Sequence, residues 1–295
     1  MIHYSHCPVC KSANISPALS AKDFTVSSQI FSINKCNDCT VMFTQDVPPQ
    51  DAIGTYYASE NYVSHSNTQK GLVNRLYHII RKKTLATKRN LLKKETGISA
   101  GKILDVGCGT GAFLNEMKNN GWQITGLEPD ETARKNAIEL FNIEPLPSPE
   151  IFNLPSESFD AITLWHVLEH VHQLQEYTAQ LKKLLTKNGR LFIAVPNYTS
   201  WDAQHYKEYW AAYDVPRHLY HFSPEGINTL MRAHGMQVKK IKPMWFDSFY
   251  VSMLSEQYKN GRGNMVSAFF VGLVSNLKTI FNPQKCSSVI YVISK

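Results

Sequence analysis

A chain of 295 residues is long enough for one large core with a small appended module. Hydrophobic residues at 43% and charged residues at 19% are globular proportions, which exclude a disordered or low-complexity chain. The formal charge of +7 asks for an anionic partner, whether nucleic acid, phosphorylated metabolite or lipid surface, without choosing among them.

The opening MIHYSHCPVCK is polar and carries cysteines, unlike a secretory signal. The apolar run Met265 to Val274 is too short to span a bilayer. The expectation is a soluble, cytoplasmic protein.

Cys7 and Cys10 form one C-x-x-C pair and Cys36 and Cys39 another, 25 residues apart. Paired cysteines in a chain of this kind more often bind metal than form disulfides. Each pair can offer two thiolates from one tight turn, and four thiolates close a structural zinc site. Iron in a rubredoxin-like site is the rival. The segment FTVSSQIFSINKC is expected to form the hairpin of this zinc ribbon, residues 1–48. So short a module buries little, so the metal would supply much of its folding energy.

Residues 49–100 are expected to hold a linker and a basic amphipathic helix. The linker clusters Tyr56, Tyr57 and Tyr62, placed to pack on the main domain or to line its mouth. In residues 70–95, Leu72, Leu76, Ile79, Ile80, Leu85, Leu91 and Leu92 recur at helical spacing among nine Lys or Arg. The reading is a helix packed by an apolar stripe with a solvated basic face, the alternative being contact with anionic lipid or a phosphorylated substrate.

Lys102 to Val106 reads as a buried parallel strand. It runs into Asp105-x-Gly107-x-Gly109-x-Gly111 and then a helix through Asn120. The spacing G-x-G-x-G differs from the dinucleotide fingerprint G-x-G-x-x-G. A carboxylate at Asp105 would repel a pyrophosphate but welcome a cationic amino group. A second strand ends at Glu128, which suits a ribose diol. Glu150 is placed to accept from an adenine amino group. A further strand covers Asp160 to Leu164. Amine, ribose and adenine together are the polar inventory of S-adenosylmethionine.

The motifs LDVGCGTG, GLEPD and LPSESFDAI, in this order and spacing, resemble the class I S-adenosylmethionine-dependent methyltransferases over residues 100 to 245. The resemblance implies an α/β fold with a Rossmann-like seven-stranded sheet, its last strand antiparallel, over residues 101–295. It also implies cofactor contacts at Asp105, Gly107, Cys108, Gly109, Gly111, Glu128, Pro129, Glu150, Ile151 and Leu164.

Downstream, Leu174 to Leu185 reads as a helix capped by Asn188-Gly189. RLFIAVPN, MQVKKIKP and SSVIYVISK read as strands. Pro224 to His234 reads as a helix N-capped by Ser223. Residues 244–284 read as a helical insertion that covers the substrate side or makes a dimer.

Methyl transfer is an in-line displacement that rests on positioning, with a base wherever the acceptor must lose a proton. Three histidines lie near the carboxyl ends of the strands where such sheets bind ligands: His166, His218 and His221. The last two fall in DVPRHLYHFSP, where Asp214 and Arg217 could orient them, or where His218 could merely brace the loop. The cysteine module with this domain resembles the deoxysugar C-methyltransferases. Their EHFS-type stretch, matched here by His221-Phe222-Ser223, implies His221 as base, although Tyr220 replaces the acidic neighbour and a C-terminal third domain is missing.

The expected function is therefore S-adenosylmethionine-dependent methylation of a small molecule such as a sugar, lipid-linked or secondary-metabolite-type intermediate, by a monomer or homodimer with possible peripheral membrane contact. The alternatives are an RNA methyltransferase gripping through the ribbon and basic helix, and a protein methyltransferase or non-catalytic module. No Cys-Pro pair or N-P-P-Y run follows the fourth strand, which weighs against a nucleobase acceptor.

Overall fold

The computed structural model describes residues 1–57 and 72–295, with the backbone alone for 72–82. Tyr62, and the side chains expected to form the apolar stripe of residues 72–80, lie outside the described residues.

In chain order the elements are β1 (Ile15–Lys22), β2 (Ile30–Cys36), β3 (Met42–Thr44), α1 (Leu72–Thr96), β4 (Lys102–Val106), α2 (Ala112–Lys118), β5 (Gln123–Leu127) and α3 (Glu131–Phe141). They continue with β6 (Phe159–Trp165), α4 (Leu174–Leu184), β7 (Leu185–Pro196), α5 (Trp201–Tyr206), β8 (Tyr220–His221), α6 (Pro224–Ala233), β9 (Gln237–Pro243), α7 (Asp247–Asn260), α8 (Met265–Phe281) and β10 (Ser288–Ser294). Two sheets result, one of order β1-β2-β3-β8 and one of order β5-β4-β6-β7-β10-β9. In the larger sheet β4 pairs in parallel with both β5 and β6, and Val106 stands opposite Leu127 and Leu164. This is the Rossmann-like α/β architecture the motifs implied.

The large sheet has six strands among the described residues, not seven. Where a further strand would flank β5, the chain makes one isolated parallel bridge, Leu127 to Leu146. Leu146 donates to Gly126 O at 2.9 Å, and Glu128 donates to Leu146 O at 2.9 Å. Pro145 and Pro147 on either side have no amide hydrogen, so the ladder cannot propagate.

Two local readings also need correction. The run from Phe24 to Ser27 is a turn, and the first strand of the hairpin is Ile15–Lys22. The buried Asp23 carboxylate makes that turn by accepting from the amides of Thr25, Val26 and Ser27 at 3.0, 3.2 and 2.8 Å. Asn188-Gly189 does not cap a helix, because β7 begins at Leu185 and contains both residues. A Cβ on Gly189 would lie 2.9 Å from Phe159 O, so this glycine serves close strand packing. By contrast Ser223 caps α6, accepting from Gly226 N at 3.0 Å.

The compact units cut across the boundaries 1–48, 49–100 and 101–295. One contains Met1–Asn61, His166–Ala179 and Ile193–Ile293; the other contains Tyr62–Trp165, Gln180–Phe192 and Ser294–Lys295. In the first, β3 pairs antiparallel with β8, setting Met42 opposite His221 and Phe43 opposite Tyr220. The cysteine-bearing hairpin therefore completes its sheet with a segment from far along the chain. Helices α7 and α8 fill the expected insertion.

Candidate methyl-donor and cysteine sites

The loop after β4 turns through three glycines with positive φ, Gly107 at 68°, Gly109 at 55° and Gly111 at 77°. Side chains at these positions would be strained, and their absence leaves the backbone open to a ligand. Gly107 and Cys108 both donate to Leu127 O, at 2.7 and 3.0 Å. Glu128, buried just beyond β5, accepts from Gly109 N at 2.8 Å with Oε2 and from Asp130 N at 3.0 Å with Oε1. One carboxylate thus fastens the glycine loop to the start of α3, where Asp130 caps through Ala133 N.

Asp105 ends β4 with a buried carboxyl that accepts from Thr163 Oγ1 at 2.5 Å. Burial pushes it up to about 7, against the opposing pull of the Thr163 hydrogen bond and the Lys88 charge. A buried carboxyl held at its ionisation point suits a cationic amino group, which would complete its charge.

Leu164 and Ile151 are fully buried, and the Ile151 carbonyl accepts from Gln180 Nε2 at 2.7 Å. Cys108 packs against Leu114 and Ile143, and burial pushes its thiol up. Glu150 binds Asn153 Nδ2 at 3.0 Å, and the Pro129 carbonyl accepts from Arg134 at 2.8 Å. Glu128 is thus fastened to the glycine loop, and Asp105 is held by Thr163 on the neighbouring strand. These residues fit an S-adenosyl donor by their chemistry: an acid for the amine, a second acid for vicinal hydroxyls, and bare backbone between them. Sequence reasoning missed Thr163, the partner that holds Asp105; its place opposite Asp105 on the adjacent parallel strand was the available signal.

In the other unit, the four thiols of Cys7, Cys10, Cys36 and Cys39 gather with their sulfurs within 4.8 Å of one another. The Cys7–Cys39 and Cys10–Cys36 separations are both 3.5 Å. That is too long for a disulfide. It is near the ~3.8 Å edge of a tetrahedron with 2.3 Å metal–sulfur bonds. The Val9 and Cys10 amides point at Cys7 Sγ, at 3.4 and 3.5 Å. The hydrogen bond between Cys7 and Cys39 draws the Cys7 thiol down and pushes the Cys39 thiol up, so the pair shares a proton that a metal would displace. The residues present therefore fit a closed four-thiolate site.

The three candidate histidines have different fates. His166, at the end of β6 with φ 59°, reaches Asp247 Oδ2 at 3.0 Å and Glu169 Oε1 at 3.4 Å. Burial works against its charge, but the two carboxylates overcome it and raise the imidazole to about 10. It is an imidazolium at neutral pH, which is no base. His221, in β8, is buried with Nε2 3.1 Å from Thr44 Oγ1. Thr44 spends its own proton on His218 O at 2.8 Å, so His221 must be the donor in that pair. Burial, with the neighbouring His218, holds His221 well below its usual range. His218 places Nδ1 2.9 Å from Ala212 O, which fixes a proton there, while Nε2 lies 3.9 Å from Asp214 Oδ2.

Arg217 is buried on Asp214, Asp23 and the Tyr56 carbonyl, and so holds the unit together rather than reaching for an acceptor. Tyr57 Oη meets His170 Nδ1 at 2.9 Å.

A family model described as a methyltransferase domain matches residues 77–241. The chain belongs to this methyltransferase domain family, and its fold and donor loop are those of a class I S-adenosylmethionine-dependent methyltransferase. Among curated proteins it is similar to a ubiquinone biosynthesis O-methyltransferase of Vibrio atlanticus, 31% identical over 144 residues, covering 46% of this chain and 58% of that protein. A mitochondrial ubiquinone biosynthesis O-methyltransferase of Rattus norvegicus is 27% identical over 183 residues, covering 54% and 53%. The chain thus spans about half the length of the curated relatives it matches. Among solved structures, the cyclopropane synthase of Mycobacterium tuberculosis superposes with TM-score 0.50 at 15% identity, over 71% of this chain and 84% of that one, which is a likeness of fold.

Proposed function

We propose that the protein transfers a methyl group from S-adenosylmethionine to a small-molecule acceptor bearing an ionisable hydroxyl on an apolar body. The observation that carries this reading is the pair of carboxylates, Asp105 near the end of β4 and Glu128 just beyond β5, on neighbouring strands beside the Gly107–Gly111 loop. Bound donor would supply a methyl already activated on a sulfonium sulfur. Asp105 would hold its amino group, Glu128 its ribose hydroxyls and Glu150 its adenine amine, with Cys108, Pro129, Ile151 and Leu164 bounding the rest. Fixing the donor this way raises the effective concentration of the methyl carbon, which is most of what the reaction needs.

The printed names of the relatives support a small-molecule acceptor over RNA, and a hydroxyl acceptor over carbon. His218 and His221 each have one ring proton fixed by a hydrogen bond, and we assign the acceptor contact to His218, which is 8% exposed against 3% for His221. Zinc in the four-thiolate cluster would be structural, since the four sulfurs leave no open position.

We also assign the acceptor to a lipid surface. Tyr250, Phe269, Phe270 and Phe281 on α7 and α8 are 61%, 55%, 59% and 90% exposed. Residues 257–285 carry four Lys or Arg and no Asp or Glu. An exposed aromatic face flanked by uncompensated positive charge suits an anionic bilayer. No helix among the described residues is long and apolar enough to cross a membrane.

Calorimetry with S-adenosylmethionine, followed by methyl-transfer assays on pools of phenols, sugars and transfer RNA, tests the reading. Donor binding with label entering the phenol or sugar pool is expected. Absence of donor binding, or label in RNA alone, would overturn it.

A further inference from the structure

Glu169 is fully buried, and neither of its carboxylate oxygens has a hydrogen-bond partner. Its nearest cation is His166 Nδ1 at 3.4 Å, long for a charge-assisted bond. Leaving such a group unmet is costly unless something else satisfies it. Its backbone carbonyl meanwhile accepts from Leu219 N at 2.8 Å, which fixes the segment before β8 beside it.

Two imidazoles complete a cluster. His170 directs Nδ1 at Arg217 O at 3.0 Å, and His218 directs Nδ1 at Ala212 O at 2.9 Å. A carbonyl oxygen only accepts, so each Nδ1 carries a proton, which on His170 is shared with Tyr57 Oη at 2.9 Å, and Nε2 is the nitrogen each ring offers a ligand, with Asp214 Oδ2 3.9 Å from that of His218. Locking the far nitrogen on a backbone carbonyl is how proteins orient histidine ligands for a metal. The two rings meet edge to face with centroids 4.6 Å apart. A ligand atom from each of Glu169, His170 and His218 lies within 4.8 Å of the others. Bonds of about 2.0–2.2 Å to one ion need donors roughly 3–3.6 Å apart, a gap that modest side-chain rotation closes.

We infer that Glu169, His170 and His218 form a second metal site, a two-histidine, one-carboxylate set for a divalent cation of the zinc, iron(II) or manganese class, separate from the four-thiolate cluster. Imidazole with a single carboxylate favours these ions over magnesium or calcium, which take all-oxygen shells. Three protein ligands leave coordination positions open, where an acceptor oxygen could bind and lose its proton more readily. The inference deepens the methyl-transfer reading and rests on it for that last consequence alone. It also gives His218 Nε2 a use that excludes action as a free base.

The test uses the full chain with its thiolates loaded with zinc, dialysed against Zn²⁺ and, separately, against Mn²⁺. Metal content is read with and without Glu169→Gln and His218→Gln, and folding is checked by circular dichroism. One equivalent beyond the thiolate zinc is expected with at least one of the two ions, bound at least tenfold more weakly by both variants. Retention of neither ion, or equal retention by the variants, overturns the site. Methyl transfer that falls in His218→Gln while the parent holds no second ion would sink the metal site and leave the methyl-transfer reading, with His218 as base, standing.

Discussion

Glu128 accepts the Gly109 amide at 2.8 Å, so the glycine loop and the end of β5 are one hydrogen-bonded body. The side chain proposed to hold the donor's ribose is also the fastening of the glycine loop. Glu128→Ala should therefore damage both functions. Two part-buried amides would lose their acceptor, at about 1 kcal/mol each. The melting temperature should fall, and calorimetry should show donor affinity reduced at least a hundredfold.

On the proposed contact with the donor's amino group, Asp105 should make donor binding depend on pH. Its carboxyl is raised from 3.8 to about 7, so below pH 7 it is mostly neutral and loses its attraction for an ammonium group. Donor affinity should fall about tenfold per pH unit below 7. For the unliganded protein the sign reverses. The folded state holds this proton more tightly than the unfolded chain, so this group's contribution to stability is full below about pH 4 and is lost as pH rises through 7. Calorimetry and thermal melts from pH 5 to 8 on the parent and Asp105→Asn should show both trends in the parent and neither in the variant.

Gly126 in β5 has no room for a methyl group. A Cβ there would lie 2.6 Å from Leu114 Cδ1 and 2.8 Å from Cys108 Sγ. Gly126→Ala should cost roughly 1–3 kcal/mol by overpacking, read in urea unfolding.

Stripping metal from the four cysteines should melt the small sheet first. The protein as isolated should carry chelatable zinc bound through Cys7, Cys10, Cys36 and Cys39. Chelation should remove the near-ultraviolet signal of Tyr220 and its neighbours. Donor binding should fall less than tenfold, because Asp105 and Glu128 belong to the other unit.

Phe269→Glu with Phe270→Glu should cut co-sedimentation with vesicles of phosphatidylcholine and phosphatidylglycerol at least tenfold, with the melting temperature little changed because both rings are exposed. Salt should weaken binding of the parent. Loss of a dimer on light scattering, without any change in vesicle binding, would assign this face to a second copy instead.

The arrangement of the candidate donor residues was legible because it is local. Asp105, the three glycines and Glu128 lie within one strand, turn, helix and strand, and spacing alone places them at the carboxyl ends of two neighbouring strands. Non-local pairings were not legible. Nothing in HLYHFSP announces that His221 will pair with Met42, or that its Nε2 will meet Thr44, 177 positions away. The strand Ile15–Lys22 escaped notice because its alternation is weak and Pro17 interrupts it, at the place where the register slips. The missing seventh strand was visible in principle, since Pro145 and Pro147 bracket Leu146. His166 shows the limit of counting histidines: its chemistry is set by Asp247, a residue from the insertion that no motif marks.

The pairing of β3 with β8 also governs the order in which this protein can be made. The hairpin that holds the cysteines emerges early in synthesis, and its four thiols could capture a metal at once. Its open edge must then wait until residues 220 and 221 have left the ribosome. Throughout that interval Met42 and Phe43 present an unpaired apolar strand edge, the kind that invites association with other chains. Early metal capture would shorten the nascent chain's exposure by holding the hairpin in register, so zinc supply during translation, rather than afterwards, should decide how much of the protein escapes aggregation.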